Sequence, residues 1–156
     1  MTVRILALDL ALNCGAAFLD GPRVTSELWR LDARGSQPHD RFVALAAHLD
    51  RALTRKPVPT LIAYEELHHL AGRTADSAHS YGGLRGVVLL AAAQRGIHYL
   101  GVAPATWKRA AGLGSGTGEP EAMEAAQKRW PGVSFETADE CVARWVGVAA
   151  MEKAKN

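Results

Sequence analysis

Carboxylates stand at the ends of two apolar segments of this 156-residue chain. Asp9 comes near the end of the apolar run from residue 3 to residue 10, and Glu65 and Glu66 follow the run from 60 to 64. A carboxylate that ends a buried strand needs a cation, a hydrogen-bond network or solvent. Successive strand residues point to opposite faces, so at most one of the two glutamates can share a site with Asp9. The alternative is that both strands simply emerge into water at these positions.

A second pair of acids, Glu136 and Asp139, lies at the expected start of the last helix, where a spacing of three places both on one side. The same segment also fits a capping box formed by Thr137 and Glu140, and the helix dipole favours acids in a first turn without any function. The two interpretations are compatible, because Glu140 can cap the helix while Asp139 faces the sheet.

The chemistry of this set follows from its donor atoms. Four oxygen donors, without Cys or His at zinc-like spacing, suit a hard cation such as Mg²⁺ or Mn²⁺. Carboxylates that share two such ions are the usual apparatus for in-line displacement at phosphorus, in which one ion prepares the water and both stabilise the developing charge. The sequence therefore predicts phosphodiester hydrolysis.

The hydrophobic pattern predicts the elements that must position these residues. Three apolar runs within the first 31 residues predict an antiparallel meander, and apolar residues at helical spacing from 42 to 53 predict a crossover helix. Strands are expected at 60–64 and 97–102, and helices at 77–95, from Pro104, at 119–130 and from Thr137 towards Met151. This order predicts an α/β fold with a mixed five-stranded sheet flanked by helices. Ligands of such sheets bind at the carboxyl ends of the parallel strands, where Asp9 and Glu65 are expected.

Composition bounds the remaining possibilities. A chain with 48% hydrophobic and 22% charged residues is predicted to form one domain over residues 1–156 and is not disordered. Its formal charge of +2 makes any polyanion site a local patch. The two cysteines, Cys14 and Cys141, look incidental, and without a secretory signal the expected compartment is a reducing cytoplasm. The apolar runs are too short to span a bilayer.

With these residues placed, the chain resembles the RuvC family of Holliday-junction resolvases, within the RNase H-like superfamily, and most of all its compact phage or prophage members. The resemblance covers nearly the whole chain. It is carried by five segments in family-like order: residues 5–9 followed by Gly15, residues 63–65, residues 75–87, Thr106 and Lys108 with the run 112–115, and residues 136–139.

The resemblance implies a homodimeric Mg²⁺- or Mn²⁺-dependent endonuclease with an RNase H-like fold that resolves four-way or branched DNA. It favours Glu65 over Glu66 and implies two ions per active site and a dimer formed through the long helix around Ser77–Arg95. The implied metal ligands are Asp9, Glu65, Glu136 and Asp139, and Lys108 would steady the phosphate. The implied DNA-binding residues are His68, Arg73, Arg85, Thr106, Arg109 and Ser115.

The chain departs from the family pattern at three places. Acidic residues, Glu119 and Glu121, stand where the family usually has a second lysine; Glu136 replaces a more typical aspartate; and His68 replaces an aromatic residue that stacks at the junction centre. Two alternative functions stay open: an RNase H-like nuclease that acts on RNA or hybrid duplexes, and a junction-binding protein that does not cleave.

Overall fold

The computed structural model describes residues 2–32, 37–68 and 73–156. The elements follow the predicted order, and residues 69–72, between the fourth strand and the long second helix, lie outside the described residues. The strands are β1 (Arg4–Asp9), β2 (Asn13–Asp20), β3 (Arg23–Arg30), β4 (Leu61–Glu65) and β5 (His98–Val102). The helices are α1 (Asp40–Thr54), α2 (Ala75–Arg95), α3 (Pro104–Ala110), α4 (Glu119–Arg129) and α5 (Ala138–Lys155).

The strands form one sheet in the order β3-β2-β1-β4-β5, which confirms the predicted mixed five-stranded sheet. β1, β2 and β3 pair as an antiparallel meander, whereas β4 lies parallel to both β1 and β5. Leu8 is the register partner of Tyr64 in the parallel pair. The next residues, Asp9 and Glu65, therefore end their strands at the same edge of the sheet.

The sheet is covered on both faces, which is why its central strands are apolar throughout. Leu6 and Leu8 of β1 pack on the side of α1 and α2, and Ile5 and Ala7 pack on the side of α5. Residues 140–150 of α5 are all buried. The sheet covers one side of this helix, and α3 and α4 also pack against it. No helix in the described parts of the chain is long and apolar enough to cross a membrane.

The predicted capping box at the start of α5 is wrong. Thr137 occupies the N-cap position, but its side chain makes no capping hydrogen bond, and its buried Oγ1 finds no hydrogen-bond partner among the residues that the structure describes. Glu140 turns into the core instead, where Ser26 Oγ donates to its Oε2 at 3.2 Å and Arg144 Nε donates to Ser26 Oγ at 2.8 Å. A buried carboxylate is stabilised by such a hydrogen-bonded partner, and Arg144 lies one turn along the same helix.

The glycines of α2 have two different environments. A Cβ at Gly83 would lie 2.4 Å from the Phe42 ring, so this glycine permits close packing of α1 against α2 within the chain. A Cβ at Gly82 or Gly86 would meet nothing within 4 Å. Gly82 and Gly86, unlike Gly83, therefore leave space on the outer face of α2 that another molecule can approach.

Candidate active site

Gly15 brings the first turn of α5 against the end of β1. Gly15 is the register partner of Asp9 across the β1–β2 pair. A Cβ at Gly15 would lie only 2.0 Å from the Asp139 carbonyl oxygen and 2.9 Å from the Glu140 backbone nitrogen. The α5 backbone thus rests directly on β2 beside Asp9, at a separation that a side chain at position 15 would prevent.

Asp9 is the carboxylate on which the other acids converge. Burial raises its pKa well above the usual value of 3.8, and the nearby charges of Glu65 and Asp139 raise it further. The Asp9 carboxyl also lies within hydrogen-bonding reach of the Asp139 side chain. Like charges held this close disfavour ionisation unless a cation accompanies them. The structure thus brings together three of the four acids predicted from the sequence.

Glu65 is held by the indole of Trp107, a residue that the sequence did not indicate as part of the site. Burial raises the pKa of Glu65, while the Trp107 hydrogen bond and the charges of Arg73 and Lys108 lower it. In that hydrogen bond, the Nε1 of the buried Trp107 donates to Glu65 Oε2. The contact of Trp107 with Glu65 depends on how α3 docks beside β4, which the local sequence pattern does not specify.

Tyr81 of α2 fixes the backbone on which Glu65 is carried. Its hydroxyl donates to the Glu65 carbonyl oxygen at 3.0 Å and accepts from the Leu67 backbone N–H, also at 3.0 Å. This single hydroxyl therefore links the end of β4 to the long helix α2.

The donor atoms of the cluster fit a hard divalent cation in kind. Asp9, Glu65 and Asp139 offer only carboxylate oxygens, and the orphaned buried Thr137 Oγ1 lies two residues from Asp139. Among the described residues, however, no group of three or more His, Cys, Asp or Glu side chains is already spaced to hold one ion. In this arrangement Glu65 Oε2 accepts the hydrogen bond from Trp107 Nε1.

Two of the predicted cations lie near Glu65. Lys108 and Arg73 both act electrostatically on this carboxylate. Lys108 Nζ also donates to the Ser115 carbonyl oxygen at 3.4 Å and lies 5.8 Å from the Trp107 ring centroid. The glycine-rich loop at 112–118, which contains Ser115, is therefore tied to the lysine. Two further predicted DNA contacts lie on the same helix as Lys108: Thr106, which is half-buried, and Arg109, which is exposed.

Glu119 is an additional acid in this region that was not predicted as a site residue. It begins α4, directly after the glycine-rich loop, and its negative charge raises the pKa of both Asp9 and Glu65. This is one of the positions where the resemblance led us to expect a lysine. The local charge is consequently more negative than the family pattern implies.

Three predicted residues pair elsewhere. Glu136 is exposed and forms an ion pair with Arg30 of β3. Arg85 Nη2 lies 3.2 Å from Glu66 Oε1, and His68 Nε2 lies 3.8 Å from Glu66 Oε2. The roles of Glu136 in metal binding and of His68 and Arg85 in DNA binding stay predictions.

Comparisons with known proteins identify the fold. No protein-family model matches the chain, and no curated protein sequence matches it. Among solved structures, Thermus thermophilus RuvC in complex with Holliday junction substrate superposes with a TM-score of 0.80 at 16% identity, covering 98% of this chain and 95% of that one. A second structure of Thermus thermophilus RuvC gives a TM-score of 0.78 at 17% identity, with 98% and 96% coverage. The yeast mitochondrial Holliday junction resolvase gives a TM-score of 0.59 at 18% identity, with 96% and 78% coverage.

Proposed function

We propose that this chain, which has the RNase H-like fold of RuvC, is a divalent-metal-dependent endonuclease that cuts Holliday junctions as a homodimer. The observation that carries this proposal is the convergence of Asp9, Glu65 and Asp139 at the carboxyl edge of the parallel strands. One of the structures that share this fold was solved with a Holliday junction substrate. Residues 1–156 would then form a single nuclease domain.

The three carboxylates have one role in this proposal, which is to bind metal. Asp9, Glu65 and Asp139 would hold two Mg²⁺ or Mn²⁺ ions, with Glu136 as a further ligand. The bound ions would supply charge neutralisation and a water of lowered pKa. Burial and mutual repulsion both disfavour the ionised form of these carboxylates. A bound cation offsets both effects, which favours metal binding at this position.

The basic and polar residues near the cluster would position the DNA strand. Lys108 lies beside Glu65 and would contact a phosphate oxygen there, and Arg73 acts on the same carboxylate from outside the cluster. Further contacts with the DNA backbone would come from Thr106, Arg109 and Ser115. His68, which follows β4, and Arg85 of α2 would add to them. Specificity would come from junction shape more than from base contacts.

The exposed stripe of α2 supports the homodimer. His79, Gly82, Gly86, Leu90 and Ala93 recur at helical spacing and are all exposed, and Leu90 retains 58% of its accessible surface. Because the stripe carries almost no polar side chain and its glycines leave open space, a second copy of α2 could approach closely. A two-fold dimer would present two active sites to opposed strands of a symmetric junction. Gly86→Arg should then yield a monomer by analytical ultracentrifugation, whereas a dimer that survives this change would place the interface elsewhere.

The deciding experiment compares nicking of a synthetic four-way junction by the wild type, Asp9→Asn and Asp50→Asn. Asp50 is an exposed acid of α1 that pairs with Arg95, so the same substitution there serves as the matched control. We expect Mn²⁺-dependent symmetric nicks from the wild type and from Asp50→Asn. We expect none from Asp9→Asn, with junction binding by this variant retained. Mn²⁺ should also raise the Tm of the wild type and leave that of Asp9→Asn nearly unchanged.

Other substrates distinguish the alternative functions. A linear duplex, a fork and an RNA–DNA hybrid at equal concentration should be cut more slowly than the junction. Faster cutting of the hybrid would assign the chain to the RNA-directed nucleases. Junction binding without any nick from the wild type in Mn²⁺ would show a protein that binds junctions and does not cleave them.

A further inference from the structure

A cavity of about 230 Å³ lies at the end of the sheet opposite the carboxylates. It is lined by the first residue of β1, the turn region of β2 and β3, and the chain just after α1. β1 runs from Arg4 beside this cavity to Asp9 in the acidic cluster, a separation of about 17 Å for a strand of this length. The cavity is therefore separate from the proposed active site.

The cavity exists because α1 stops before the sheet does. Alternate residues of β1 face α1, and Arg4 continues the series that includes Leu6 and Leu8. α1 ends at Thr54, and the guanidinium of the next residue, Arg55, lies 5.2 Å from the Phe18 ring centroid. The last part of the sheet face is thus left without a covering helix.

Positive charge dominates the walls. Arg4, Arg23, Arg55 and Lys56 line the cavity, against the single carboxylate of Asp20. Within the described residues, none of these four cations takes part in a salt bridge, although Arg30, Arg85, Arg95 and Lys128 elsewhere each have an acidic partner. Arg4 is steadied by its Nε, which donates to the Val58 carbonyl oxygen at 2.7 Å. Four cations around one space repel one another, and a bound anion would relieve that repulsion.

The remaining wall is mostly apolar. Phe18, Pro57 and Pro59 contribute to it, and the Arg55 guanidinium lies over the Phe18 ring, 5.2 Å from its centroid. Arginine recognises phosphate through paired N–H groups and stacks on aromatic planes. The volume lies below the roughly 300–1,000 Å³ of a drug-sized pocket, so the space suits one small unit and not a duplex.

From this combination we infer that the cavity binds a nucleoside monophosphate group, with the phosphate among the arginines and the base against the apolar wall. The same chemistry is offered by a free nucleotide and by the 5′-phosphorylated end of a single strand. The cavity shares no residue with the carboxylate cluster, so nucleotide binding there would not require nuclease activity.

The test is an amide NMR titration of the ¹⁵N-labelled protein with thymidine 5′-monophosphate, without divalent cations. We expect saturable shifts at Phe18, Arg23 and Arg55, weaker shifts at the same amides with inorganic phosphate, and none with thymidine. A 5′-phosphorylated oligothymidylate that binds more tightly identifies a strand end as the ligand, and equal affinity identifies the free nucleotide. Shifts confined to Asp9 and Lys108, equal shifts with thymidine, or no shifts would overturn the inference.

Two variants distinguish binding in the cavity from a general effect of positive charge on the surface. Arg23→Gln with Arg55→Gln removes two cations but no ion pair, so the fold should survive, as its amide spectrum would show. We expect thymidine 5′-monophosphate to bind this variant at least tenfold more weakly. Arg51→Gln is the control, because Arg51 is exposed one turn earlier on α1 and does not line the cavity. Equal weakening by Arg51→Gln would refute a specific site.

Discussion

Replacing Gly15 by alanine should dislodge Asp139 from the acidic cluster. The new Cβ would lie 2.0 Å from the Asp139 carbonyl oxygen, and ordinary contact begins at 3.4 Å, so the first turn of α5 has to retreat by about 1.4 Å. Overpacking of this kind costs about 1–3 kcal/mol. For a chain of this size each kcal/mol lowers Tm by roughly 2–4 °C, so we expect a Tm about 2–12 °C lower. A misplacement of about 1 Å can cost 100-fold in rate, so junction nicking should fall about 100-fold.

The assay pairs denaturant unfolding with single-turnover nicking of the four-way junction in Mn²⁺. Gly132→Ala is the matched control, because a Cβ there meets nothing within 4 Å and the backbone is not left-handed. It should leave both the free energy of unfolding and the nicking rate close to wild type. If Gly15→Ala matched Gly132→Ala in stability and rate, the contact between β2 and α5 would not position Asp139, and the reasoning would fail.

Three further predictions concern the same structure. Tyr81→Phe removes two 3.0 Å hydrogen bonds at the end of β4 and should cost about 1–3 kcal/mol in denaturant unfolding, whereas Tyr99→Phe, at a half-exposed ring of β5, should cost nearly nothing; equal losses would contradict the role of the hydroxyl. The raised pKa of Asp9 means that the folded state binds a proton more tightly than the unfolded state, so its ionisation destabilises the fold as pH rises above 3.8. In EDTA, the stability advantage of Asp9→Asn over the wild type should therefore grow from pH 4 upward until native Asp9 is ionised, and a constant difference across pH 4–8 would exclude this. Burial raises the pKa of Cys14 and raises that of Cys141 to about 11, so neither thiol should react with a disulfide reagent at pH 8 until denaturant is added, and rapid native labelling would contradict the buried placement.

Local patterns predicted the parts of the fold that depend on local physics. The apolar strands that end in Asp9 and Glu65 could be recognised because a carboxylate on a doubly covered strand is costly. A crossover connection predicts that the two strands run parallel, so that both carboxylates lie at the same edge of the sheet. The parallel register of β1 and β4 confirms this prediction.

Contacts between residues distant in sequence could not be predicted in this way. The approach of Gly15 to Asp139, the hydrogen bond from Trp107 to Glu65 and the charge of Glu119 beside Asp9 all depend on how α3, α4 and α5 dock. The capping box failed for the same reason: Glu140 satisfies the local capping pattern, but it lies on a helix that is buried on every side, where Ser26 and Arg144 offer a better environment for its charge.

The burial of α5 has a consequence for the order in which the proposed active site is completed. Asp9 and Glu65 leave the ribosome early, but Asp139 takes its place only when the core closes around residues 140–150. A nascent polypeptide that lacks this helix has two acids and no completed site. Under the proposed function, cleavage activity should therefore arise in one step with the finished fold, and partly synthesised chains should not cut DNA.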